Sequence, residues 1–184
     1  MLLRPRQKTF VERSVQALEG HGNTLGVAPT GAGKTIMLSG VVGKMLGGTD
    51  AKAAVLAHRD ELTAQNVLKF AKVNPGISTS VFDARSKSWR GQATFAMVPT
   101  LARKSNLEGM PALDLLVVDE AHHVAADSYL RIIERAYQRN PGLKVFGVTA
   151  PPNRGATQGL RPVFSQFDDQ IPIVALISPC LLVP

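Results

Sequence analysis

A chain of 184 residues with 45% apolar and 5% aromatic side chains is expected to fold as one ordinary domain, residues 1–184, with a buried core. Its formal charge of +7 points to a polyanionic partner, without by itself separating nucleic acid from another anionic surface. Cys180 is the only cysteine, which excludes an intrachain disulfide and a cysteine metal cluster and makes a reducing cytoplasm the expected setting.

In chain order, residues 6–18 read as a helix: Pro5 suits its start, Val11, Val15 and Leu18 share a face, and Gly20 and Gly22 follow its end. Residues 25–28 read as a short buried strand and 34–45 as the helix after it, closed by Gly47 and Gly48. A second buried strand is expected over 53–57. Asp60 then suits the cap of a helix whose Ala64, Val67, Leu68 and Ala71 lie on one face. Strands are expected over 78–82 and 93–98, with a polar loop between them carrying Arg85, Lys87, Trp89 and Arg90. That loop suits either stacking of a nucleic-acid base on Trp89 or, more commonly for such loops, a solvated turn with one semi-buried indole.

Leu115-Leu116-Val117-Val118 is wholly apolar and ends in Asp119-Glu120, the pattern of a strand buried on both faces of a parallel sheet. Residues 127–138 read as a helix with Tyr129, Ile132, Ile133 and Ala136 on one side, and 144–149 as a last strand. From Pro151 the chain is rich in Gly and Pro and has no clear assignment. Its apolar end is short and broken by Pro172, Pro179 and Pro184, which does not suit a membrane span, and no membrane partner is expected. The N-terminus lacks the apolar run of a signal peptide. Alternating strands and helices imply a three-layer α/β/α sandwich around a mostly parallel sheet.

Two stretches carry chemistry. Ala28-Pro29-Thr30-Gly31-Ala32-Gly33-Lys34-Thr35 lies between a strand and a helix, the setting of a phosphate-binding P-loop. Gly31 and Gly33 let the backbone wrap a phosphate with its N–H groups inward, Lys34 brings a cation to the outer phosphates, and Thr35 offers a hydroxyl to Mg²⁺. The helix that starts there adds its dipole. The general pattern opens with Gly, where this chain has Ala28. Asp119, at the end of a buried strand, suits a Mg²⁺ ligand, and Glu120 is placed to orient or deprotonate a water attacking the γ-phosphate.

Asp119-Glu120-Ala121-His122 after an apolar strand, together with Ala28 opening the P-loop, resembles the superfamily 2 helicases of the DEAD/DEAH-box type. Further stretches agree in order. Arg4-Pro5-Arg6-Gln7 is similar to the family's glutamine motif, which implies that Gln7 reads an adenine edge. Ala57-His58-Arg59-Asp60-Glu61-Leu62 resembles motif Ia and Val98-Pro99-Thr100-Leu101 motif Ib, both of which grip the nucleic-acid backbone. Thr149-Ala150-Pro151-Pro152 stands where motif III is expected, with Pro151 in place of the usual Thr, so the link between hydrolysis and nucleic-acid binding is a point to test.

The resemblance implies a RecA-like P-loop NTPase domain, the first of two, with ATP and Mg²⁺ as cofactors. It implies hydrolytic roles for Lys34 and Glu120, nucleotide contacts from Gln7, Pro29, Thr30, Gly31, Ala32, Gly33, Lys34 and Thr35, and metal contacts from Thr35 and Asp119. His58, Arg59, Thr100 and Arg103 are the candidate contacts to nucleic acid, and His122, Thr149 and Ala150 the candidates for coupling. The expected partner is a single or double strand bound without regard to sequence, DNA favoured over RNA because the motif forms look closer to DNA-acting bacterial and phage members. A second RecA-like domain, in cis or in trans, would supply arginine fingers, whose absence slows hydrolysis by about three to five orders of magnitude. The alternatives from the sequence are a non-catalytic, nucleotide-dependent binding module and the motor part of a multi-chain restriction or repair complex.

Overall fold

The structure, a computed structural model, describes residues 3–29, 31–58, 60–121, 126–150 and 173–175; the side chains of 60–63 and 173–175 are not among the described features. Seven strands form one sheet in the order β3-β4-β2-β5-β6-β1-β7, and every neighbouring pair runs parallel. They are β1 (Asn23–Val27), β2 (Ala53–Ala57), β3 (Thr79–Phe82), β4 (Ala93–Met97), β5 (Leu115–Asp119), β6 (Lys144–Thr149) and β7 (Ile173–Ala175). The last lies in the stretch with no assignment from sequence and pairs with β1, Gly26 opposite Val174.

Two layers of helix cover the sheet. On one side α1 (Pro5–His21), α2 (Lys34–Leu46) and α3 (Asp60–Val73) enclose Phe10, Leu18, Met37, Val41 and Phe70 against Val55, Phe95, Val117 and Phe146. On the other, α4 (Val98–Leu101), α5 (Lys104–Glu108) and α6 (Asp127–Arg139) accompany a core of Leu101, Met110, Tyr129, Ile132 and Ile133 against Leu56, Leu116 and Val118. Successive residues of β2 and β5 belong to opposite cores because strand side chains alternate, and both faces are buried because crossovers put helices on each. The expected three-layer α/β/α sandwich is present, with a sheet that is parallel throughout its described pairs. No helix among the described residues is long and apolar enough to cross a membrane.

The structure corrects the expected apolar face of α3. Leu68 is 65% exposed, and Ala64 and Ala71 also face solvent. Of the expected face only Val67 packs against the core, half-buried, and the buried side carries Asn66 and Phe70. The strand expected over 93–98 ends at Met97, and Val98 opens α4, so the motif Ib stretch is a helical turn. The loop after β3 folds back along that strand. Ser88 N–H donates to Val81 O (3.2 Å), Phe82 bridges Lys87, and the half-buried Trp89 ring lies 5.0 Å from Phe82. This return covers an edge strand that would otherwise present unpaired backbone groups.

Candidate active site

The site forms at the carboxyl ends of β1, β5 and β6, where the strands hand over to loops. Ala28, which replaces the usual first glycine, is fully buried, and its N–H donates to Thr149 O at the end of β6 (3.0 Å). The P-loop and the motif III stretch are therefore joined by a backbone hydrogen bond. Gly31 and Gly33 have φ of 83° and 81°, a region that side-chain-bearing residues reach at a cost of roughly 1–2 kcal/mol. A Cβ on Gly33 would also stand 2.7 Å from Gln7 Nε2. Lys34 and Thr35 open α2, where first-turn N–H groups lack helical partners and the dipole favours an anion. Thr30 lies outside the described residues.

Gln7 reaches this turn from α1. Its Nε2 donates to Ala32 O (3.0 Å), and its Oε1 accepts from Arg4 N–H (3.0 Å). A cavity of ≈ 350 Å³ opens here, lined by Arg4, Pro5, Arg6, Gln7, Pro29, Ala32 and Met37. Twenty-five residues separate Gln7 from Ala32, and the fold brings them into hydrogen-bond contact.

The acidic half sits at the end of β5. Asp119 Oδ1 accepts from Glu120 N–H (3.0 Å), and Oδ2 accepts from Asn66 Nδ2 (3.3 Å). Burial, and then the charge of Glu120, raise the Asp119 pKa above its ordinary value, against the opposing pull of Asn66, Lys34 and the backbone N–H. Glu120 is the one described non-glycine residue with positive φ, 56°. Such a conformation costs on the order of 1–3 kcal/mol and persists where surrounding structure holds it. It accompanies a direct contact between the two halves: Lys34 Nζ donates to Glu120 Oε1 at 2.6 Å.

The remaining expected residues are distributed unevenly. His58 is exposed at the end of β2, with its ring stacked on Tyr129 at 6.5 Å between centroids and 18° between planes. Thr100 is only 3% exposed, and its carbonyl accepts from Asn106 Nδ2 (2.7 Å); it offers a strand little surface. Arg103 is exposed just before α5. Thr149 is buried and Ala150 half-buried. Arg59, His122 and Pro151 lie outside the described residues. The sequence reading overlooked Asn66 and the polar end of Tyr129. A lone Asn on the buried side of a helix was the available signal for the first.

A P-loop between strand and helix, an acidic pair at the end of β5, one strand removed from β1 across β6, and a glutamine from the preceding helix stand together on a RecA-like sheet, an arrangement that suits a nucleoside triphosphate. The sequence model of one family, described as type III restriction enzyme, res subunit, matches residues 1–154, and the chain belongs to that family. The Saccharomyces cerevisiae protein IRC3, named as an ATP-dependent helicase, is 25% identical over 179 residues, covering 90% of this chain and 26% of its own length. The ATP-dependent DNA helicase MPH1 of Pyricularia oryzae is 29% identical over 158 residues, covering 79% of this chain and 14% of itself. The crystal structure of the Pyrococcus furiosus Hef helicase domain superposes with a TM-score of 0.76 at 22% identity, over 96% of this chain and 39% of that one. The chain is thus a RecA-like domain of the kind found in superfamily 2 helicases, and it spans about a quarter or less of the length of these two curated relatives.

Proposed function

We propose that this domain binds and hydrolyses ATP as the motor of a nucleic-acid helicase or translocase, with DNA the favoured substrate. The observation that carries the reading is the 2.6 Å contact between Lys34 and Glu120, which sets the P-loop cation against the candidate base. Relatives named as ATP-dependent helicases support ATP as the nucleotide. In the proposed reaction a water attacks the γ-phosphate in line with the leaving diphosphate. Glu120 orients that water, Lys34 neutralises the phosphate oxygens, and Gln7 faces the adenine at the rim. Thr35 and Asp119 suit Mg²⁺: one hydroxyl and one carboxylate leave room for the phosphate oxygens and waters this ion prefers. The raised Asp119 pKa marks a buried carboxylate beside a second acid, a place where a cation is favourable. When bound, the ion would offset charge on the phosphates.

His58, Arg59 and Arg103 are the proposed backbone contacts, and Thr149, Ala150 and His122 the proposed link between strand and nucleotide. A second RecA-like domain, in the same or another chain, is proposed to complete the cleft. The deciding experiment measures ATP hydrolysis with and without single-stranded DNA, beside Lys34→Ala and Glu120→Gln. DNA-stimulated hydrolysis lost in both variants is the expected result. Absence of ATP binding in the unmodified protein overturns the reading.

A further inference from the structure

Tyr129 differs from its neighbours on the buried face of α6. Ile132, Ile133 and Ala136 bring only hydrocarbon, whereas Tyr129 is 1% exposed and its hydroxyl has no hydrogen-bond partner among the described residues. A buried unpaired hydroxyl costs about 1–3 kcal/mol, and phenylalanine would fill the same space without it. Packing alone therefore does not account for the phenol.

Its surroundings do suggest a role. The ring stacks on exposed His58 at the β2 exit. Strands β2 and β5 pair with Leu56 opposite Val118, and two residues beyond that pair stand His58 and Glu120. Burial, followed by the charges of Asp119 and Glu120, pushes the phenol pKa up to about 12, so the group keeps its proton and is a donor close to two carboxylates. One side chain thus touches the motif Ia exit and feels the acidic pair.

We propose that Tyr129 is a positioning residue that couples the two: when nucleic acid engages His58, the stacked ring shifts and its hydroxyl donates to Glu120, replacing Lys34 as partner. Lys34 is then released toward the phosphates. This inference rests on the motor reading above.

The test uses the full-length protein and measures ATP turnover against ATP concentration, with and without oligo-dT, for Tyr129→Phe, His58→Ala and the double variant. Tyr129→Phe is expected to lower DNA-stimulated kcat about tenfold with the KM for ATP within about twofold, and the double variant to be no worse than the worse single one. Undiminished stimulation in Tyr129→Phe, equal loss of basal and stimulated turnover, or multiplicative losses in the double variant would overturn the proposal. A wild-type protein that binds ATP but ignores DNA overturns the motor reading, and this inference with it.

Discussion

Lys34 Nζ and Glu120 Oε1 meet at 2.6 Å although 86 residues separate them in sequence. Each side chain engages the other, and in the proposed reaction a phosphate entering the P-loop would draw Lys34 away from Glu120. The pair makes two substitutions diverge. Lys34→Ala removes the phosphate cation and is expected to weaken ATP binding by about a hundredfold or more. Glu120→Gln keeps an oxygen acceptor for Lys34, so binding stays within about threefold while turnover falls about 10²–10⁴-fold. Titration with a fluorescent ATP analogue and a phosphate-release assay check both. Matching losses of binding in the two variants would remove Glu120 from the hydrolytic step. Neither variant should move the melting temperature by more than about 2–4 °C, because a partly exposed ion pair contributes about 1 kcal/mol or less.

Asp119 is predicted to trade stability for function. Its folded pKa lies above the ordinary 3.8, so the native state binds protons more readily than the unfolded chain. Stability from this group is fully present below the unfolded pKa and is lost as pH rises through the folded one. At neutral pH the charged carboxylate is thus a net burden, and Asp119→Asn is expected to raise the melting temperature by about 2–4 °C at pH 7. The gain should shrink as the pH falls toward 4. Calorimetric scans at several pH values give the answer; a destabilised Asp119→Asn protein at pH 7 contradicts it. The same substitution is expected to abolish Mg²⁺-dependent hydrolysis.

The sequence revealed the frame of this site better than its lining. The apolar run of β5 followed by Asp119-Glu120, and glycines set between β1 and α2, follow from local rules of burial and backbone freedom, and both lie where those rules put them. The α3 face failed for a physical reason. Ala64, Leu68 and Ala71 satisfy helical periodicity, yet the helix turns Asn66 inward, where its amide reaches Asp119 (3.3 Å). A hydrogen bond to a buried acid outweighed an apolar stripe, and that partner, 53 residues away, is not visible in any local window. Tyr129 was legible as core and not as a neighbour of carboxylates, again because the relevant charges arrive from another strand. Strand β7 is three residues long, too short for periodicity to register.

Gly31 and Gly33 share a positive φ, but they should not respond alike to alanine. Beside Gly31 a Cβ meets nothing within 4 Å, whereas beside Gly33 it stands 2.7 Å from Gln7 Nε2. Gly33→Ala therefore adds displacement of Gln7 from Ala32 to the backbone strain of roughly 1–2 kcal/mol that both variants share. The expectation is an ATP affinity at least about tenfold lower in Gly33→Ala than in Gly31→Ala, read by the same analogue titration. Pairing Gly33→Ala with Gln7→Ala should recover part of the difference by clearing the collision. Equal affinities for the two glycine variants would show that Gln7 gives way freely.

Trp89 supplies a last prediction, one that separates stability from binding. Its ring lies 5.0 Å from Phe82 and packs against the core under the edge of β3, while Lys52 Nζ donates to its carbonyl (3.4 Å). An indole committed to the protein in this way has little face left for a nucleobase. Trp89→Ala is expected to destabilise the domain by about 2–4 kcal/mol, toward the lower end of large-to-small aromatic substitutions because the ring is only half-buried. Affinity for single-stranded DNA should stay within about twofold when measured well below the variant's melting temperature. Since Trp89 is the only tryptophan, its emission gives an independent check. Saturating oligo-dT should leave that emission nearly unchanged, because a stacked base would quench it. Strong quenching together with a tenfold loss of affinity in Trp89→Ala would instead make the loop a stacking platform, and the basic side chains around it, Lys52, Lys87 and Arg90, part of the strand's path.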